Sequence, residues 1–588
     1  YEYVDAAKEY LKLTEKGKAD NYVYKQLADS YYNVFNTKEA VKWFAKATEE
    51  KQDAETYYKY AQMLKAEGNY AEADKQMKQF ASLAPNDQRA KTFNSNPQYL
   101  PTLKSQAKLY DVVKSDISSD KTDFGAVLTN DNNVYFSSSR NTSKKNSNWN
   151  EEPYLDLYKA TYNANKTISE AVAVDNLNTR WHDGPASVSS DGSVMYYGSE
   201  SFNEKEYIKD KEKKAKFGKI YLYKATNSGG SWSNSKPLPF NNAAYDVRNP
   251  SISKDGKTLY FSSNMPGGMG GEDIWKVSVN GDEYGTPENL GAKINTEANE
   301  SFPFITDDNV LFFSSNGKQG FGGLDVFKID LSKGTDAVNV GAPVNTEKDD
   351  FAFTYNTAKK VGFFSSNRGG NDDIYIADPV CGVQAIAIVK DAKTGNVIES
   401  ANVVLVDAKE KVVGNQSTGS NGKSSFGVNC NMPYNFQVSK QGYESAVGEV
   451  AKTDGGEVVV EISMQPILPI ITEKEVILQP IYFEFNKSNI TQQGAAELDK
   501  LVQVMVEHPN MVIFAKSHTD SRGSDKYNLN LSDRRAKSTV QYLVSKGIAK
   551  DRISGQGFGE SEPKVACDNC TEEEYAQNRR SEFLIVKK

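Results

Sequence analysis

Histidine is scarce in this chain. Among 588 residues there are three, His182, His508 and His518, so a histidine-rich metal centre is excluded. Cysteine is almost as rare: Cys381 and Cys430 lie in one segment, and Cys567 and Cys570 form a CxxC. A lone CxxC serves redox chemistry or supplies half of a zinc site. No second CxxC and no thioredoxin-like βαβ pattern accompany this one. The expectation is therefore two structural disulfides, each paired locally, and an oxidising compartment. No run reaches about 18 consecutive apolar residues, so no transmembrane helix is read. Long basic runs are missing too. The 70 Lys and Arg face 78 Asp and Glu, for a formal charge of −8, a poor balance for general nucleic-acid binding. No signal peptide is visible, and the first residue is Tyr1, not Met. Both fit a processed mature form, in which any export signal or lipid anchor is out of view. The 38% hydrophobic content is ordinary for folded domains, and the length suggests about four of them.

What is present is repetition. Residues 1–100 are rich in Tyr and Ala at helical spacing. Ala28 aligns with Ala61, and Glu39-Ala40 with Glu72-Ala73, a period of 33 residues. Small residues at such positions let paired helices approach. The pattern resembles tetratricopeptide repeats, with Gly68-Asn69-Tyr70 at the turn between helices and Pro85 after the last. So few helices bury little surface and are expected to lean on the next domain.

From 107 to 378 a phrase returns five times: VLTNDNNVYFSSSRN, SVSSDGSVMYYGSES, SISKDGKTLYFSSNMPGG, FITDDNVLFFSSNGKQGFGG and FTYNTAKKVGFFSSNRGG. Asp-Gly or Asp-Asn turns join two strands in most copies, and the aromatic pairs supply packing between neighbouring sheets. The repeats resemble WD40-like, TolB-type β-propellers of five or six blades. The last copy lacks an outer strand. Residues 109–117 stand where one would stand, and are expected to close the ring. The acidic turns at Asp307-Asp308 and Asp372-Asp373 read as turns, not metal sites. No cofactor is called for.

Residues 381–466 alternate Val, Ile and Ala with Thr-Gly and Asn-Gly turns, the pattern of a small β sandwich. They resemble carboxypeptidase-regulatory-like domains, whose transthyretin-like fold has no catalysis of its own. Cys381 and Cys430 would staple it. A Pro-containing linker is read at 467–478.

Residues 479–588 alternate strands with two long amphipathic helices and a short one, giving a small α+β domain. SHTDSRGSDKYNLNLSDRRA, with YFEFNKSNI upstream and NRRSEF downstream, resembles the signature of OmpA-like peptidoglycan-binding domains. Ser517 stands where the family often has Gly. The resemblance implies a ligand, the meso-diaminopimelate of peptidoglycan stems, whose free end carries an ammonium and a carboxylate. It implies that Asp520 takes the ammonium and Arg535 clamps the carboxylate. Asn528, Leu531 and Arg535 fall at i, i+3 and i+7 on one helix face, which would line the pocket. Thr519, Asn486 and Arg579 match further positions that border it. His518 invites a general-base reading, but no nucleophile motif accompanies it.

In combined order, the modules resemble PorE-type proteins of the Bacteroidetes type IX secretion and gliding machinery. That resemblance implies a periplasmic, commonly lipid-anchored tether. It would bind peptidoglycan at one end and an outer-membrane β-barrel of the PorP/SprF type, or another secretion component, at the other. Two alternatives remain on the sequence: a propeller-based hydrolase, and a sensor whose propeller binds a small ligand.

Overall fold

The computed structural model describes residues 3–142, 146–147, 149–210, 215–467, 470–481, 483, 486–567 and 570–588. Contacts group the chain into two units. The first comprises Tyr1–Ile386, Ser425–Pro433 and Ala451–Val459, and the second Ala387–Ser424, Tyr434–Val450 and Val460–Lys588.

The first unit opens with helices. The repeat of 33 is written in their caps as well as in their alanines. Asp20 and Asp53 accept the N–H three residues on, and so do Asn36 and Asn69. The helices they start, Asn21–Asn33, Thr37–Ala47, Ala54–Ala66 and Tyr70–Leu83, pack each on the next. Ala28, Ala40, Ala61 and Ala73 are completely buried between them. The later helices lean on the sheets that follow. Tyr58 Oη and Gln62 Nε2 both donate to the Asn316 carbonyl. Tyr70 Oη donates to Phe321 O and Tyr99 Oη to Gly320 O, each at 2.7 Å.

Among the described residues five antiparallel sheets of four or more strands follow, four of them four-stranded. In the remaining one, two short strands, Glu283–Tyr284 and Glu288–Asn289, follow the third strand. Their first strands are Asp123–Leu128, Asp183–Val188, Val247–Ile252, Glu300–Ile305 and Asp350–Asn356. Each touches the next, and the last touches the first. Tyr110–Lys114 pairs antiparallel with Asp373–Pro379, so the last sheet joins both ends of the segment. This is the pairing that the position of residues 109–117 suggests.

Polar groups keep the sheets in register. The connection after a third strand carries an Asn that accepts the strand's N–H and returns its own amide to the same residue's carbonyl. Asn178 does this for Leu157, Asn241 for Leu222, Asn295 for Ile274 and Asn345 for Val326. In the last sheet Ser118 accepts from Ile374. Buried Asp123, Asp183, Glu300 and Asp350 each accept the backbone N–H four residues earlier. Phe136, Phe261, Phe313 and Phe364 of the repeated aromatic pairs are fully buried.

The sandwich segment forms a three-stranded sheet (Lys423–Asn429, Gly382–Asp391, Gly456–Met464) and a four-stranded one (Val412–Ser417, Asn402–Asp407, Tyr434–Ser439, Ala446–Val450). Cys381 and Cys430 are joined with their Cα atoms 5.7 Å apart. Residues 467–478, read above as linker, are partly built into the fold. Ile470–Ile471 pairs with Val476–Ile477, and Val476 is buried in the C-terminal core. Apolar Val476 has a core to join, and Ile585 N donates to Lys474 O at 2.7 Å. Leu468 and Pro469 lie outside the described residues.

In the C-terminal domain the strand Val512–His518 is central. Ile553–Gly559 runs parallel on one side and Ser581–Lys587 antiparallel on the other. Leu498, Leu501 and Met505 from the helix Gln492–Glu507 bury against Ile513, Ala515 and Phe583. Thr491 caps that helix, accepting from Gly494 N. Of the upstream YFEFNKSNI motif, Tyr482, Glu484 and Phe485 lie outside the described residues.

Replacing Asn345 with Ala strands the Val326 N–H and C=O in a buried place. The loss should be about 2–3 kcal/mol, read as a lowered calorimetric unfolding midpoint for the first unit. An unchanged midpoint would show that this side chain does not hold the fourth sheet together.

Candidate functional site

The strand Val512–His518 delivers Thr519 and Asp520 to its end, and Ser524 then caps the long helix Asp525–Ser545. That helix lies close against Ile553–Gly559. A Cβ on Gly557 would stand 2.1 Å from Asp533 N, so only glycine permits the approach. Thr519 N donates to Gly559 O at 2.9 Å, fixing the loop to the same strand.

Asp520 is 8% exposed and surrounded by donors. Its Oδ2 accepts from Arg522 Nη2 and from Arg579 Nη1, both at 2.7 Å, and its Oδ1 from Arg522 N at 3.0 Å. Burial alone would push this carboxyl up, but the two guanidinium groups outweigh it and hold Asp520 below its ordinary value. Glu572, in the short helix Glu572–Asn578, completes the cluster. It accepts from Arg522 Nη1 at 2.9 Å and from Arg579 Nη2 at 2.7 Å.

Arg535 is buried on the long helix. Its Nε donates to Lys487 O at 3.1 Å, and its guanidinium lies 4.9 Å from the centre of the Phe483 ring. No carboxylate among the described residues forms an ion pair with it. Burial lowers its pKa, and the nearby charge of Arg579 lowers it further. A cavity of about 50 Å³ opens beside it, lined by Phe483, Ser517, His518, Arg535, Arg579 and Arg580. The arrangement is thus a cationic cavity next to a carboxylate held among arginines. Such a site suits a ligand with an acidic group.

The other expected site residues are placed as follows. Arg579 joins Asp520 to the cavity. Thr519 is buried beside Asp520. Asn486 has a left-handed backbone and accepts from Tyr527 Oη. Asn528 and Leu531 share Arg535's helix face, but both are buried and neither lines the cavity. The Asn528 amide instead donates to Asp520 O at 3.1 Å and to the Glu560 carboxylate. It positions the Asp520 loop. Sequence reasoning missed Arg522, Glu572 and Phe483. The nearest signal for Arg522 was its place two residues after Asp520, where a side chain can reach back across a turn. Cys567 and Cys570, which precede the short helix, are joined with Cα atoms 5.3 Å apart.

His518 is fully buried, with its ring stacked on Phe558 at 5.7 Å, and neither ring nitrogen has a hydrogen-bond partner. Burial, reinforced by Arg580, pulls its pKa to about 4. It is neutral at pH 7, and its Nε2 lies 3.8 Å from Glu582 Oε2, beyond hydrogen-bond reach. In the first unit, His182 meets Ser147, with Nε2 and Oγ 3.3 Å apart. His182 Nδ1 accepts from Leu155 N, so Nε2 bears the proton. A serine nucleophile needs a lone pair at that nitrogen, and this one offers a hydrogen.

This fold and charge cluster define an OmpA-like domain. Residues 482–579 match the OmpA family, and residues 387–465 match the carboxypeptidase regulatory-like domain. The peptidoglycan-associated lipoprotein of Buchnera aphidicola subsp. Baizongia pistaciae is 43% identical over 104 residues, 18% of this chain and 59% of that protein. Outer membrane protein A of Shigella flexneri is 37% identical over 118 residues, 19% of this chain and 34% of that protein. The chain thus spans less than two thirds of either relative's length. The crystal structure of the peptidoglycan-associated lipoprotein from Burkholderia pseudomallei is 28% identical, covering 18% of this chain and 87% of that one, with a TM-score of 0.17.

With a folded pKa of about 4 against an ordinary 6.5, His518 takes up its proton more readily in the unfolded chain. Stability is therefore unaffected above pH 6.5 and falls as the pH drops from there towards 4. Of the three histidine ring C–H signals in a proton NMR titration, that of His518 should stay flat between pH 8 and 5. A midpoint near 6.5 would contradict its burial.

Proposed function

We propose that this chain is a non-enzymatic tether of the cell envelope that grips peptidoglycan through its C-terminal domain. The observation that carries the reading is the buried Arg535 guanidinium, which has no carboxylate partner among the described residues and adjoins the Asp520 cluster. The free end of a diaminopimelate stem supplies a carboxylate for Arg535 and an ammonium that can compete with Arg522 for Asp520. Arg579 spans the two positions, Asn528 holds the Asp520 loop, and Thr519, Asn486 and Leu531 shape its surroundings. The name of the Buchnera relative, a peptidoglycan-associated lipoprotein, agrees with this ligand.

In this reading residues 1–100 are tetratricopeptide-like repeats, and the closed ring of five sheets at 107–378 is a WD40-like propeller. The sandwich at 381–466 connects them to the wall-binding domain at 479–588. The ring and helices would engage an outer-membrane complex, of type IX secretion or gliding motility, through a PorP/SprF-type barrel or a neighbouring component. The chain would then work in the periplasm at the inner face of the outer membrane, with or without a lipid anchor. The tautomer that Leu155 imposes on His182 argues only against Ser147 and His182 as a nucleophile and base for the hydrolase alternative. One zwitterion per chain gives modest affinity, so many copies along the wall would act together.

The test is sedimentation with purified sacculi. The wild-type chain should pellet with them, and Asp520→Ala and Arg535→Ala should each lose at least about tenfold in affinity. Equal pelleting of all three proteins would reject the site.

A further inference from the structure

The carboxylate assigned to the ligand's ammonium is already occupied. Arg522 places its Nη2 2.7 Å and its Nε 3.2 Å from Asp520 Oδ2. The same guanidinium reaches Glu572 Oε2 through Nη1 at 2.9 Å and lies 4.3 Å from the centre of the Tyr575 ring. Its side chain is half exposed, so it can move without opening the core. Arg579 makes the matching bridge from Asp520 to Glu572, but it also lines the cavity beside Arg535.

Resting on the wall-binding reading, we infer that Arg522 is a displaceable internal counter-ion, which stands in for the ligand's ammonium on Asp520 and withdraws to Glu572 and Tyr575 when that ammonium arrives. The exchange keeps Arg522 paired throughout, because Glu572 and the Tyr575 face already hold its other side. Asp520 likewise never stands uncompensated in a buried position. The consequence is that Arg522 tempers the preference for a ligand that carries both charges. A ligand with a carboxylate alone satisfies Arg535 but cannot displace Arg522. A ligand with both charges does so, but against the bonds that Arg522 gives up. Arg522 is therefore a specificity-determining residue.

The experiment is calorimetric titration of the full chain with meso-diaminopimelate and with pimelate, which has the same carbon chain and carboxylates but no amines. In Arg522→Gln the ratio of diaminopimelate to pimelate affinity should rise about fivefold, because one charge-assisted contact no longer competes. Arg522→Lys, which retains a cation for Asp520, should keep the wild-type ratio. A ratio that stays level or falls in Arg522→Gln, while Asp520→Ala abolishes diaminopimelate binding, overturns the counter-ion and leaves the site standing. Diaminopimelate binding by Asp520→Ala at wild-type strength, or its absence from the wild-type chain, overturns the site itself and the counter-ion with it.

Discussion

A guanidinium withdrawn from water must find an anion, and the C-terminal domain is arranged so that Arg535 cannot escape that demand. The helix Asp525–Ser545 is held against Ile553–Gly559 by glycines that leave no room for a Cβ at Gly557. Arg535 is thereby fixed beneath Phe483, with one N–H on a backbone carbonyl and no described carboxylate in reach. A more compliant helix would let the side chain swing to solvent, and the cavity would lose its charge. Asp520 is constrained in the opposite sense, by a loop tied through Thr519 to Gly559 and through Asn528 to its own carbonyl. The site is thus a property of how one helix meets one strand.

The first unit solves a different problem by repetition. A ring of sheets leaves short outer strands and many unsatisfied backbone groups. Here a single Asn per connection, or Ser118 in the last sheet, pairs with the third strand. In four of the five sheets a buried acid at the first strand holds the turn that precedes it. Both devices recur because each sheet meets the same geometric need. Three tyrosine hydroxyls and one glutamine amide of the helices bond the carbonyls of one loop, residues 316–321, beside the apolar contact of Tyr99 and Leu103 with Phe321.

Much of this was legible in the residues. The period of 33 located the helices, and the recurring aromatic pairs marked the second strands. The SHTDSRGSDKYNLNLSDRRA segment placed Asp520 and Arg535 near each other. What escaped has physical reasons. Ile553–Gly559 carries three glycines, which argue against a strand locally, yet glycine is what the close helix requires. Spacing put Asn528 and Leu531 on the right helix face, but spacing does not say which part of a face meets a cavity and which is buried. Arg522 and Glu572 are 50 positions apart, and only the folded chain shows that Arg522 bridges Asp520 and Glu572. The hairpin at 470–477 was masked by the flanking Pro469 and Pro480 and by its lack of alternation, although Val476 is a core residue.

The most direct measurement is a crystal structure of the chain soaked with meso-diaminopimelate. The account predicts one amino-acid end of the ligand in the cavity, with its carboxylate about 2.7–2.9 Å from the Arg535 guanidinium and its ammonium on Asp520. A ligand bound elsewhere, or an Arg535 that keeps only its present contacts while the ligand is held by other residues, would contradict it.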